Sequence, residues 1–116
     1  MKVDGIRVFI PCKNYELSKA FYQALGFNLT FESTEICEFV RNECSFLLHN
    51  HYHEGLAKNL NIQLSVLNID EVYQKLQSLC GFNIRFKPPK VKAWGSVIYL
   101  WGPSGELWHI TQFDTE

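Results

Sequence analysis

The sequence is short of several things, and each shortage excludes a class of protein. No apolar run approaches the ~20 residues that a membrane-spanning helix needs, so no membrane partner is expected. Neither sign of charge dominates: eleven Lys and Arg stand against twelve Asp and Glu, for a net charge of -1. Both signs are scattered, which leaves no electrostatic case for nucleic acid or an anionic membrane surface. The four cysteines, Cys12, Cys37, Cys44 and Cys80, include no C-x-x-C pair. That spacing argues against a zinc knuckle or a thioredoxin-type redox pair. Each has hydrophobic neighbours and reads as a small buried or half-buried hydrophobe. Residues 1–5 lead straight into a strand-like stretch without the apolar core of a secretion signal, so cytoplasm is the expected location.

What is present is self-similarity. Residues 21–31 read FYQALGFNLTF and residues 73–86 read YQKLQSLCGFNIRF, so that Gly26-Phe27-Asn28 recurs as Gly81-Phe82-Asn83. Upstream, Pro11-Cys12-Lys13-Asn14 corresponds to Ser65-Val66-Leu67-Asn68, with one residue less between the copies. Two coincident signals mark an internal duplication and predict a second helix one residue longer than the first. With 116 residues, 47% of them hydrophobic, the chain can fill one core and not two. The expectation is a single domain of two units, residues 1–52 and 58–116, with residues 50–58 as the linker.

Each unit reads in the same order. Residues 3–11 alternate, with Ile6, Val8 and Ile10 expected to pack under a helix and Arg7 and Phe9 on the other face. Asn14 has the side chain to cap that helix. Leu17, Ala20, Phe21, Ala24 and Leu25 then form an apolar stripe, and Gly26 ends it. Three strands follow, near 27–33, 35–41 and 44–50, the last two joined by the polar turn Asn42-Glu43. In the second unit the strand is 59–67, with Asn61, Gln63 and Ser65 on one side. Asn68 or Asp70 caps a helix carrying Val72, Leu76 and Leu79, closed by Gly81. Strands are expected at 82–87, 94–101 and 106–113, with Pro88-Pro89 ending the first and residues 102–105 turning between the other two. Two βαβββ units give an α+β fold of eight strands and two helices. The helices cover one face of a curved mixed sheet and leave the opposite face as a cleft.

These residues carry a family likeness. The segments NYELSKAFYQALGF (14–27), 66–76 and GPSGELWHI (102–110) resemble the vicinal oxygen chelate superfamily, which includes glyoxalase I, extradiol dioxygenases, fosfomycin resistance enzymes and bleomycin resistance proteins. The likeness spans nearly the whole chain. It implies the paired βαβββ fold, a homodimer, and four metal-ligand positions, which fall on Arg7, Asn61, His109 and either Leu48 or His49. His49 is preferred because Leu47-Leu48-His49 parallels Leu107-Trp108-His109. Arg7 departs sharply from the pattern, since a guanidinium has no lone pair to offer a metal. Asn61 and Gln63 are poor ligands for a divalent ion, which leaves His49 and His109 as weak candidates and makes a divalent metal disfavoured. The run His49, His51, His53 invites a second metal reading, but the last two are expected in an exposed linker.

With His109 facing the cleft, Leu107, Thr111 and Phe113 accompany it, while Trp108 and Ile110 face the helices. The expected ligand-binding set is Arg7, Phe9, His49, Asn61, Gln63, Trp94, Tyr99, Trp101 and His109. An arginine among aromatics suits a planar or anionic organic ligand, although Arg7 could instead neutralise Glu38 or Glu106. The first expectation is therefore a binding protein resembling bleomycin resistance proteins, with no cofactor, sequestering an aromatic or anionic compound. The second is a metal-dependent lyase, isomerase or dioxygenase of the glyoxalase type, whose chemistry needs a metal and a nearby carboxylate base.

Overall fold

The computed structural model describes residues 1–114. In chain order the elements are β1 (Phe9–Pro11), α1 (Tyr15–Leu25), β2 (Asn28–Glu32), β3 (Ile36–Arg41), β4 (Cys44–His49), α2 (Glu54–Asn59), β5 (Asn61–Ser65), α3 (Ile69–Ser78), β6 (Arg85–Phe86), β7 (Lys90–Lys92), β8 (Gly95–Trp101) and β9 (Leu107–Phe113). The repeat is plainest at the helix starts. Asn14 Oδ1 accepts from Leu17 N at 3.1 Å and Asn68 Oδ1 accepts from Glu71 N at 3.2 Å. Each satisfies an amide the first helical turn leaves free. Gly26 and Gly81 both hold positive φ, 123° and 82°, where a side chain would be strained.

The strands form two mixed sheets, β1-β4-β3-β2 and β5-β9-β8-β6, with β7 also paired to β8. In each, the unit's first strand lies parallel to its last, β1 to β4 and β5 to β9, and the remaining pairs are antiparallel. Several element-level expectations are corrected. The first strand covers three residues because, upstream of Val8, the chain meets no partner strand among the described residues, and Ile6 is exposed instead of packing under a helix. The linker contains α2, whose start is capped by His53 Nδ1 accepting from Leu56 N. The strand expected over 82–87 splits into β6 and β7. Lys87 N donates to Tyr99 O and Lys90 pairs with Val97, so Pro88 and Pro89 bulge out opposite Ile98 alone. Helix α3 is ten residues against eleven for α1, because the extra residue of the second unit lies in the loop that leads to Gly81. Cys12 and Cys37 are buried, as expected, but Cys44 and Cys80 are exposed.

One core joins the two units. Ile10, Phe39, Phe46 and Leu48 from the first sheet meet Ile98, Leu100, Trp108 and Ile110 from the second, with Phe21, Tyr22 and Leu76 from the helices between them. Tyr22 sits at its centre, 5.0 Å from the Phe46 ring and 5.8 Å from the Trp108 ring. Each such buried aromatic contributes about 1.5–3 kcal/mol through apolar burial. The expected stripe on α1 is rolled: Ala20 is exposed, while Tyr15, Ser18, Lys19, Phe21 and Tyr22 are buried. Lys19 tolerates this because Nζ reaches Glu16 and Glu32 at 2.8 and 2.7 Å and lies 4.5 Å over the Tyr15 ring.

A buried polar clasp fastens the units together. Tyr22 donates to Glu106 Oε2 at 2.8 Å and accepts from Trp108 Nε1 at 2.8 Å, while Ser104 N donates to Glu106 Oε1 at 2.8 Å. Gly102 leaves room for this carboxylate, since a Cβ there would lie 2.5 Å from Glu106 Cδ. Burial pushes the Glu106 carboxyl above its ordinary range, against the opposing hydrogen bonds from Tyr22 and Ser104.

Candidate functional site

Because each sheet turns its apolar face toward the helices and the shared core, its other face points away from them. On the second sheet, alternation sends Ile98, Leu100, Trp108 and Ile110 into the core. It sends Val97, Tyr99, Trp101, Leu107, His109 and Thr111 to the open face. The parallel register places Asn61, Gln63 and Ser65 of β5 beside Leu107, His109 and Thr111. This face carries a continuous set of polar contacts. His109 Nε2 lies 3.2 Å from Asn61 Oδ1, and the Tyr99 ring stands edge-on to His109 at 5.2 Å. Gln63 Nε2 donates to Thr111 Oγ1 at 2.5 Å and to Ser65 Oγ at 2.8 Å. Val97 (1% exposed) and Thr111 (3%), cross-strand partners, are buried on this face.

The first sheet's open face is built differently. Leu48 lies in the core and His49 on the opposite face, beside Leu47 and Ser45 in the alternation of β4. His49 packs 5.6 Å from the Phe9 ring and 5.6 Å from His51. Arg7 pairs with Glu38, Nε to Oε2 at 2.6 Å, and Thr30 Oγ1 donates to Glu38 Oε1 at 2.9 Å. Of the two carboxylates that could have neutralised Arg7, Glu38 does so, while Glu106 is committed to the core. On this face Pro11, the register partner of His49, is buried, while Phe9 is 49% exposed.

The nine expected site residues therefore divide. Asn61, Gln63, Tyr99, Trp101 and His109 come together on the second face. Arg7, Phe9 and His49 come together on the first. Trp94 stands apart at the far end of β8, 43% exposed and packed against Phe113 at 5.2 Å. Two cavities, of about 420 and 580 Å³, lie away from all nine. The second face is bordered by Arg85, Lys87, Lys90 and Lys92, which no motif marks but whose spacing around Pro88-Pro89 is the periodicity of one strand face interrupted by a bulge.

The four superfamily metal positions do not fit a divalent ion. Arg7 offers no lone pair and is engaged by Glu38, Asn61 is an amide in contact with His109, and His49 lies on the other sheet from His109. Among the described residues, no three His, Cys, Asp or Glu side chains gather in a way that could hold a metal. No helix is long and apolar enough to cross a membrane.

No family model matches the sequence, and no curated protein matches it. Solved structures do. The chain is similar to a bleomycin resistance determinant encoded on the transposon Tn5, with a TM-score of 0.81 and 22% identity over 97% of this chain and 100% of that one. It is similar to a bleomycin-binding protein complexed with bleomycin, at 0.79 and 22% over 97% and 100%. A genomically encoded fosfomycin resistance protein from Listeria monocytogenes, complexed with Mn(II) and sulfate, matches at 0.77 and 14% over 99% and 94%. At these identities the likeness shows the fold alone, the mixed α+β fold of the bleomycin resistance structures.

Proposed function

We propose that this chain is a small-molecule-binding protein resembling bleomycin resistance proteins, which sequesters an aromatic or anionic compound without metal catalysis. The observation that carries this reading is the second open face. There Tyr99, His109 and Gln63 form the row beside the buried Val97 and Thr111, and Trp101 and Asn61 belong to the next row. Aromatic faces flanked by a few convergent polar groups are what a planar organic ligand needs. Support comes also from the metal positions, whose residues suit hydrogen bonding better than coordination, and from the fold shared with bleomycin-binding proteins.

The protein works as a cytoplasmic homodimer in this reading. Each open face points away from its own core, so a second copy is needed to close it. The exposed Phe9 and Phe113 rings are the surface such a copy would cover. Arg7, Phe9 and His49 then belong to the binding set through that closure.

The test is metal analysis of the purified protein, followed by thermal-shift titration with aromatic and anionic compounds and sedimentation of the free protein. A compound at 100 times its Kd should raise stability by about 2.7 kcal/mol, and the protein should sediment as a dimer. Stoichiometric metal ligated by His49 and His109 would overturn the reading in favour of a glyoxalase-type enzyme. A monomer that no compound stabilises would also overturn it.

A further inference from the structure

The second open face has a cationic edge. Trp101 is opposite Arg85 in the β6–β8 register, and the Arg85 guanidinium carbon lies 4.4 Å over the Trp101 ring centroid. Lys87 donates its backbone N–H to Tyr99 O, which sets it opposite Tyr99, and its Nζ is 5.8 Å from the same Trp101 ring. After the proline bulge, Lys90 pairs with Val97 and Lys92 with Gly95. Tyr99, Val97 and Gly95 share the parity of Trp101, so all four cations border the same face. Without the two-proline bulge, the phase of Lys90 and Lys92 would be reversed.

Among the described residues, none of the four forms an ion pair; the cations that do are Arg7, Lys19 and Lys58. The nearby carboxylates Asp70 and Asp114 line the cavity with Ser96 and Gln112, on the helix side of β8, where Gln112 Oε1 accepts from Ile69 N. Four unpaired cations within eight residues repel one another. Their arrangement on one face is most stable when an anion lies among them.

We infer that Arg85 and Lys87, beside Trp101, recognise the acidic group of the ligand, while Lys90 and Lys92 further along the edge add longer-range attraction. The ligand class is then a planar compound bearing a carboxylate, sulfonate or phosphate, its ring on Trp101 and its anion at this edge. The inference rests on the reading that the second open face binds the ligand.

Two probes with one aromatic frame separate the claims: 8-anilinonaphthalene-1-sulfonate and the uncharged N-phenyl-1-naphthylamine. The wild-type protein should bind the sulfonate more tightly, and added salt should erode that preference. Lys87→Gln, Lys90→Gln and Lys92→Gln together should weaken the sulfonate about tenfold, as three exposed charges would, and leave the uncharged probe unchanged. Trp101→Leu should weaken both probes, with circular dichroism confirming the fold. If Trp101→Leu weakens both while the triple variant still binds the sulfonate as wild type does, the charge assignment is wrong and the binding face stands. If neither probe responds to Trp101→Leu, the face does not bind ligand and both readings fall.

Discussion

Tyr22 and Leu76 stand at corresponding places in the two repeats, eight residues after the capping Asn14 and Asn68, and both are fully buried. Leu76 contributes volume and nothing else, whereas Tyr22 carries a hydroxyl that binds Glu106 and Trp108 of the other unit. The same contrast holds on the open faces. In the first unit Arg7 is consumed by Glu38; in the second, four cations with no ion pair among the described residues border an aromatic face. The lesson is that duplication here preserves caps, strand order and core volume, while polar chemistry has been redistributed. The first unit supplies the hydroxyl that fastens the halves, and the second keeps the surface suited to a ligand.

The sharpest way to break this comparison is at its core pair. Leu76→Ala removes buried apolar volume and should cost about 3 kcal/mol, read as a lowered urea midpoint. Tyr22→Phe keeps the ring but leaves a buried carboxylate and an indole N–H each short of a partner, for a loss of about 2 kcal/mol. If Tyr22→Phe were neutral, the clasp would be only packing, and the two units would be equivalent in the core as well.

Next in size is the pH dependence that Glu106 imposes. Burial raises its folded carboxyl pKa above the unfolded value near 4.5, so in the window above 4.5 the folded state holds more protons than the unfolded one. Its contribution is then fully present below that pH and is lost as pH rises through the folded pKa. Thermal midpoints of wild type minus those of Glu106→Gln should therefore fall as pH rises from 4.5 toward neutrality. Carboxylates with lowered values, such as Glu54 beside Lys58, contribute equally to both proteins and cancel in the difference.

The parts of this fold legible in the sequence are those decided locally. Asn14, Asn68, Gly26, Gly81 and the Asn42-Glu43 hairpin act on neighbours within a few residues, and the strand alternation placing Tyr99, His109, Gln63 and Asn61 together needs only period two. Helix α2 escaped because six residues offer no apolar period, its start being set by the His53 side chain. The rolled burial of α1 depends on Glu106, 84 residues from Tyr22, a partner that no local pattern names. The cationic edge was hidden by Pro88-Pro89, which read as the end of a strand when it is a bulge between two.

The helix caps test whether the preserved features are truly equivalent. Asn14→Ala and Asn68→Ala should each cost about 1 kcal/mol. The double variant should lose their sum, because the two ends lie in different units and share no hydrogen-bond partner. A clear departure from additivity in the denaturation midpoints would mean that the units are coupled at their helix starts as well as through the clasp.

The smallest effect is expected on the first open face, and it bears most directly on why the two faces differ. Arg7 and Glu38 are about a third and a quarter exposed, at 34% and 23%, so breaking their pair by Glu38→Gln should cost no more than about 0.5 kcal/mol. The consequence for binding is more informative than the consequence for stability. With the carboxylate gone, Arg7 keeps its charge two residues from Phe9 and loses its partner, leaving the first face with a free cation near an aromatic ring. Affinity for an anionic aromatic probe should then rise by roughly twofold, the scale of one exposed charge, with the uncharged probe unaffected. If affinity is instead unchanged, a free cation near an aromatic ring is not sufficient, and the buried row of Val97 and Thr111 is what distinguishes the second face.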